Sequence, residues 1–162
     1  MRLGRSGRPG FRPSYESVRD VEEERLAGRM LHVVTGWHAV KWPQYAAIDF
    51  CLIGDGVVRA LAEFKARRKY SSSDMNSFTP AGLMVSKSKI DRGLEISRWQ
   101  KVPLYLLVNL ADGSFFSEIE GAPALSGWGG RDDRDDPLDN EDCYFIPMSD
   151  FRMIGGQHEP AP

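Results

Sequence analysis

One hairpin constrains the fold of this chain more than any other segment. Residues 45–53 are mostly apolar, Gly54-Asp55-Gly56 follows them, and residues 57–67 form a second segment with alternating polarity. Glycine and aspartate at successive positions are typical of a tight turn between two antiparallel strands. The sequence therefore predicts paired strands over 45–53 and 57–67.

The second strand of this hairpin carries charged residues on one face. Side chains alternate between the two faces of a strand. Glu63, Lys65 and Arg67 therefore share one face, and Phe64 points to the other. Folding about the turn brings Asp49 within about one residue of the position opposite Glu63, if a bulge is allowed. Two carboxylates and a lysine are thus predicted to converge.

Asp49 needs a partner, because its neighbours in the sequence Tyr-Ala-Ala-Ile-Asp-Phe-Cys are almost all apolar. Burying a lone carboxylate costs several kcal/mol unless another group compensates for it. One candidate is Lys65, which would give an internal ion pair, the commoner arrangement for such a triple. The other is a divalent cation shared with Glu63, since carboxylate oxygens suit Mg²⁺ or Mn²⁺.

An amphipathic helix is predicted ahead of the hairpin, over residues 14–29, with Ser14 as its N-cap. One acid, Glu22, falls within the stripe of residues that recur every four positions. Residues 31–34 could continue as a short strand. The stripe consists of Val18, Glu22, Leu26 and Met30.

The remaining segments predict a single-domain α/β fold, in which helices flank a mixed β-sheet. A flexible basic arm is expected over residues 1–13, the domain over 14–154, and a polar tail over 155–162. The predicted elements after the hairpin are a loop or short helix over 70–82, a helix over 83–100, a buried strand over 104–110, a turn at 111–113, a strand over 114–119, a loop over 121–142 and a final strand over 143–148.

Composition narrows the class of protein without deciding its function. The chain has 162 residues, of which 41% are hydrophobic, which suits one domain with one core. Cys51 and Cys143 form no metal-binding or disulfide pattern, so we expect buried thiols and a reducing, cytoplasmic compartment. No apolar run approaches the roughly 18 residues that span a bilayer. The net charge of −2 excludes neither nucleic acid nor protein as a partner.

The wider order of motifs resembles the PD-(D/E)XK nuclease superfamily, particularly its small phage and bacterial members. Asp49, thirteen intervening residues and Glu63-Phe64-Lys65 match the motif, although Ile48 stands where the motif has proline. The resemblance covers about residues 15–110. It implies a restriction-endonuclease-like αβββαβ core, with a helix on each side of the hairpin that supplies further site residues.

The resemblance also implies roles at the predicted site. Asp49, Glu63 and the backbone carbonyl of Phe64 would bind Mg²⁺ or Mn²⁺, and Lys65 would position or activate the attacking water. A glutamate on the first helix would be a third acid. Glu22 fits best by periodicity, and its two neighbours Glu23 and Glu24 are the alternatives.

A lysine on the second helix is also expected at the site, and Lys89 matches the motif better than Lys87. Lys87 is expected to bind nucleic acid together with the basic run that follows the second strand, Arg67, Arg68 and Lys69. The implied substrate is DNA, whether single-stranded, duplex or branched, and for a phage protein the host cytoplasm is the expected location. The sequence leaves a homodimer open.

Two other classes of function are compatible with the sequence. The first is a non-catalytic nucleic-acid-binding protein that keeps the nuclease fold, with Asp49 and Lys65 neutralising each other. The second is a phage accessory protein that binds no nucleic acid, which the acidic pI of 5.9 favours. The three histidines have no zinc spacing, and the acidic segment 131–142 lacks the order of a calcium loop.

Overall fold

The structure is a computed structural model that describes residues 17–43, 46–130 and 140–155. It contains three α-helices and nine strands in these ranges. In chain order they are α1 (Val18–Thr35), β1 (His38–Lys41), β2 (Phe50–Gly54), β3 (Val57–Arg67), α2 (Ser72–Ser77), β4 (Leu83–Ser86), α3 (Lys87–Gln100), β5 (Leu104–Leu110), β6 (Gly113–Glu118), β7 (Ser126–Gly129), β8 (Glu141–Ile146) and β9 (Arg152–Gly155).

Six strands form the main sheet in the order β1-β2-β3-β5-β6-β9. β3 and β5 pair in parallel, and every other neighbouring pair in this sheet is antiparallel. A second, antiparallel sheet has the order β4-β8-β7. The predicted α/β fold with a mixed sheet is confirmed, and it is consistent with a restriction-endonuclease-like architecture.

The alternation along β3 divides the core between the two faces of the main sheet. Ala60, Ala62 and Phe64 pack with α1 on one face. Leu61 packs on the other face with α3 and the second sheet. Glu63 is one of the few polar residues that are buried, with 2% of its surface exposed. The sheet therefore presents Glu63 and Lys65 on the α3 side, while α1 covers the opposite face.

The first helix differs from its prediction at both ends. Its N-cap is Ser17, not Ser14, and the Ser17 side chain closes a capping box with the first turn. Residues 31–34 are not a strand, because the helix continues through them as far as Thr35. It ends at Gly36, whose φ of 74° suits the left-handed conformation that terminates helices.

Two other boundaries are corrected by the structure. The first strand of the hairpin begins at Phe50, and residues 46–49 form a bend before it, whereas residue 45 lies outside the described ranges. The helix predicted over 83–100 is two elements, since β4 occupies its first four residues and α3 the remainder. The predicted turn at 54–56, the second hairpin strand and the buried strand over 104–110 are confirmed.

Some predictions concern segments that the structure does not describe. The basic arm over 1–13, most of the acidic segment 131–142 and residues 156–162 of the predicted tail lie outside the described ranges. Cys51 and Cys143 are buried free thiols, as predicted. In the described ranges, no helix is both long enough and apolar enough to cross a bilayer.

Candidate active site

The hairpin places Asp49 opposite Glu63. Phe50, the first residue of β2, pairs with Ala62 in the antiparallel ladder, so Asp49, just before β2, lies next to Glu63, which follows Ala62 on β3. The main-chain N–H of Trp42 donates to the Asp49 carbonyl at 2.8 Å, which holds this segment in line with the strand that follows it. The predicted convergence of the two acids is therefore found.

The Asp49 carboxylate is held by groups from β3 and α3. Its Oδ2 accepts a hydrogen bond from the Phe64 main-chain N–H at 2.9 Å. Its Oδ1 lies 3.2 Å from Lys89 Nζ, on the first turn of α3. Side-chain exposure of Asp49 is only 17%, so both contacts lie in a largely buried setting.

One carboxylate oxygen of Glu63 contacts the ammonium groups of two lysines. Its Oε1 lies 2.5 Å from Lys65 Nζ and 2.8 Å from Lys89 Nζ. Its Oε2 is buried and has no hydrogen-bond partner among the described residues. A buried carboxylate oxygen without a donor is costly, which makes Oε2 a candidate ligand atom for a cation.

Electrostatics separate the two acids. Burial raises the pKa of Asp49, but Lys65, Lys89, the Phe64 N–H and a side-chain hydrogen bond with Glu63 together outweigh burial and hold the pKa below its usual value. Burial also raises the pKa of Glu63, and the neighbouring Asp49 adds to this, so the pKa of Glu63 lies above its usual value despite the two lysines. Asp49 is therefore the more readily ionised acid of the pair.

The residues at this point suit a hard divalent cation. Asp49 and Glu63 offer carboxylate oxygens, and the Oε2 of Glu63 is one that no donor in the described part of the chain contacts. The Phe64 main-chain N–H donates to Asp49, and the Phe64 carbonyl stays a predicted ligand. Such a small set of oxygens suits Mg²⁺, which keeps several waters.

The glutamates of α1 lie near the sheet without joining this pair. Glu22 is exposed. Glu23 binds Arg68 with two contacts, at 2.6 and 2.9 Å, and Glu24 contacts Lys41. No cluster of three potential metal-binding His, Cys, Asp or Glu side chains occurs within the described ranges. The third acid stays a prediction, and the structure does not bring Glu22 into contact with the pair.

The predicted basic residues divide into groups with different surroundings. Lys87 donates to Asp91 at 2.7 Å and to the Tyr144 hydroxyl at 3.1 Å, and so faces β8 instead of the two acids. Arg68 is engaged by Glu23. Arg67 donates to the carbonyl of Ala66 at 3.0 Å, and Lys69 lies 5.6 Å from the ring of Tyr70. Lys89, not Lys87, is the α3 lysine at the site.

Two features of the site could not be read from the sequence. Lys65 contacts Glu63, whereas the sequence offered an ion pair between Lys65 and Asp49. Tyr144 and Asp91 fix the start of α3 through Lys87, and their hydroxyl-to-carboxylate distance is 2.6 Å. The only sequence signal for this anchor was the spacing of Lys87 and Asp91, four residues apart on a helix.

A cavity of about 700 Å³ lies elsewhere, between α1 and β1. It is lined mainly by apolar and basic residues, among them Val21, Arg25, Ala39 and Phe50. Asp49 and Glu63 are not part of its lining, because they face the α3 side of the sheet. The two acids therefore lie apart from this cavity.

The parallel β3-β5 pair, the preceding hairpin and the acids joined by lysines are consistent with the PD-(D/E)XK nuclease superfamily. Comparison with protein families agrees with this assignment. The model of the family described as "Phage putative PDDEXK endonuclease" matches residues 10–154, and the chain belongs to that family. No curated protein matches the chain.

Proposed function

We propose that this chain is a nuclease that hydrolyses DNA phosphodiester bonds with Mg²⁺ or Mn²⁺ held by Asp49 and Glu63. The observation that carries the proposal is the convergence of both carboxylates and two ammonium groups at one largely buried point. Glu63 Oε2, which lacks a donor among the described residues, adds a ligand atom. Family membership supports a nucleic-acid substrate, and DNA is our proposal.

The residues of the chain have distinct parts in this proposal. A bound divalent cation would supply Lewis acidity and a water of lowered pKa. Lys65 extends from the central strand β3 and its side chain is 17% exposed, so its ammonium group is well fixed. We assign it to orienting the attacking water or stabilising negative charge on phosphorus, where a fixed cation is most effective.

Substrate binding is assigned to basic groups near the carboxyl end of β3 and the start of α3. Arg67 and Lys69 would contact phosphates, which position the substrate without reading its sequence. Arg68 and Lys87 are weaker candidates, because Glu23 accepts two N–H groups of Arg68, and Lys87 already donates to Asp91 and the Tyr144 hydroxyl. This part of the proposal predicts binding that weakens steeply as salt concentration rises.

One observation favours a second function. Lys65 and Lys89 together neutralise Asp49 and Glu63, which is the arrangement expected of a fold that binds nucleic acid without cutting it. In that case nucleic acid would bind with similar affinity in Mg²⁺ and in EDTA. The orphaned Glu63 Oε2 speaks against it, since a purely structural network would satisfy that oxygen.

The test is a panel of supercoiled, linear, single-stranded and branched DNA, together with RNA, incubated with the full chain in Mg²⁺, Mn²⁺ or EDTA. We expect cleavage of DNA that stops in EDTA and is lost in Asp49→Ala and Lys65→Ala. Cleavage that survives both substitutions would overturn the site assignment. Salt-sensitive binding without any cleavage would support the second function instead.

A further inference from the structure

The ammonium group of Lys89 occupies a position between the two carboxylates. It lies 3.2 Å from Asp49 Oδ1 and 2.8 Å from Glu63 Oε1. These carboxylates belong to the two side chains that, under the proposed function, hold the divalent cation. The contacts of Lys89 are therefore those that a cation would make.

We propose that Lys89 is an internal competitor of the divalent cation, which gives up Asp49 and Glu63 when the cation binds and then becomes available to a substrate phosphate. The proposal rests on the proposed function. Asp49 Oδ2 accepts the Phe64 N–H, so Asp49 Oδ1 is the oxygen left for a cation, and Lys89 Nζ lies 3.2 Å from it. A cation bound at Oδ1 would repel that ammonium group strongly.

Lys89 is better able to move than Lys65. The Lys89 side chain is 37% exposed and that of Lys65 is 17% exposed. Lys89 stands on the first turn of α3, at the margin of the site, and carries a flexible four-carbon stem. Lys65 stands on β3, which has neighbours on both sides in the sheet. The geometry thus selects Lys89 as the group that leaves.

The anchoring of α3 lets the side chain move without the helix. Lys87 is held by Asp91 and the Tyr144 hydroxyl, which fixes the first turn of α3 against β8. Displacement of Lys89 then needs only a change of side-chain rotamer. After displacement, its ammonium group would remain at the margin of the site, where a phosphate can meet it.

Competition between Lys89 and the cation predicts a result that differs from that expected if Lys89 only orders the two acids. Removing the Lys89 charge should tighten cation binding in the absence of substrate and at the same time weaken cleavage. A lysine that merely orders the acids would weaken both when it is replaced. The two quantities must therefore be measured separately.

The experiment measures Mn²⁺ binding to the full chain by electron paramagnetic resonance, without nucleic acid. Lys89→Met keeps the apolar stem and removes the charge, and Arg98→Met, at an exposed position in the last turn of the same helix, is the control. We expect Lys89→Met to tighten Mn²⁺ binding by about tenfold or more, as for removal of a neighbouring like charge. Arg98→Met should leave the Mn²⁺ affinity unchanged. Asp49→Asn should abolish Mn²⁺ binding both in the wild type and in Lys89→Met.

A thermal unfolding series guards against misfolded variants. Lys89→Met should unfold at a lower temperature than the wild type in EDTA, and Mn²⁺ should raise its unfolding temperature by more than it raises that of the wild type. If Lys89→Met binds Mn²⁺ no more tightly than the wild type, while Asp49→Asn still abolishes binding, the competition by Lys89 is overturned and the proposed function is not. Wild-type Mn²⁺ binding that is absent or unaffected by Asp49→Asn would overturn the proposed function as well.

Discussion

Asp49 and Glu63 sit side by side, yet their surroundings favour different protonation states. The Phe64 N–H and the Lys89 ammonium group each contact Asp49, and the pKa of Asp49 is lowered in spite of burial. Glu63 is more deeply buried, and burial together with the charge on Asp49 raises its pKa. The charged form of Asp49 therefore stabilises the fold, whereas burial and the charge on Asp49 disfavour the charged form of Glu63.

Neutral substitutions of these acids should change stability in opposite directions. A lowered folded pKa means that Asp49 contributes stability above its unfolded pKa, which is lost as pH falls through the folded value. Asp49→Asn at neutral pH should thus cost about 1–3 kcal/mol of unfolding free energy. A raised pKa has the reverse sign, so Glu63→Gln should raise the unfolding free energy at neutral pH.

Urea unfolding of both variants in EDTA at pH 7 measures these changes. Repeating the Asp49→Asn comparison at pH 3 supplies the control, because the difference from the wild type should shrink there. Equal losses of stability in the two variants would contradict the electrostatic description of the pair.

Replacing Lys65 should affect chemistry far more than binding. Lys65→Met removes the ammonium group and keeps most of the side-chain volume. We expect kcat for DNA cleavage to fall by about a hundredfold to a thousandfold, as for loss of a fixed group that stabilises transition-state charge. Steady-state kinetics should show little change in KM. A rise in KM with unchanged kcat would assign Lys65 to substrate binding instead.

At the scale of elements, α1 is joined to the carboxyl end of β3 by the ion pair of Glu23 and Arg68. The side chain of Glu23 is 12% exposed and that of Arg68 is 30% exposed, and Arg68 donates two N–H groups to Glu23. Glu23→Gln should lower unfolding free energy by about 1 kcal/mol, because the charge-assisted contacts are weakened.

Glu22→Gln is the matched comparison, one residue away and exposed. It should leave stability within experimental error, measured by the same urea series. If α1 supplies the predicted third acid through Glu22, Glu22→Gln will lower the cleavage rate without lowering stability. An unchanged cleavage rate would remove Glu22 from the site.

The start of α3 depends on a close approach of β4 to β8 near Gly82. The φ of Gly82 is +115°, and a Cβ at this position would lie 2.5 Å from the Ile146 carbonyl oxygen. Gly82→Ala should therefore cost more than about 1 kcal/mol of unfolding free energy. Gly121→Ala is the control, since a Cβ there meets nothing within 4 Å. Equal stability of the two variants would show that the approach is not needed.

At the scale of the whole molecule, the parts predicted from sequence are those with strong local periodicity. The polar and apolar alternation over residues 57–67 and the apolar run over 104–110 specify β3 and β5, the parallel pair at the centre of the sheet. Register with β3 then specifies the meeting of Asp49 and Glu63. The central part of the fold and the two acids were therefore predictable.

The outer strands of the second sheet, β4 and β7, and the edge strands of the main sheet, β1 and β9, were not predicted, whereas the final strand predicted over 143–148 overlaps β8. β1, β4, β7 and β9 are four residues long, which is too short to distinguish a period of two from a helical period. β4 in particular continues directly into α3, so its residues read as helix. Which lysine contacts which acid depends on the packing of α3 against β8, which no local pattern in the sequence encodes.

Cleavage by this chain should depend on a cation held by Asp49 and Glu63. We would measure the initial rate of plasmid cleavage by the wild type and Asp49→Asn while Mg²⁺ is titrated into EDTA-treated protein. We expect a saturable rise for the wild type and a rate at least about a hundredfold lower for Asp49→Asn at every Mg²⁺ concentration. Equal rates in the two proteins, or wild-type cleavage that persists in EDTA, would contradict this expectation.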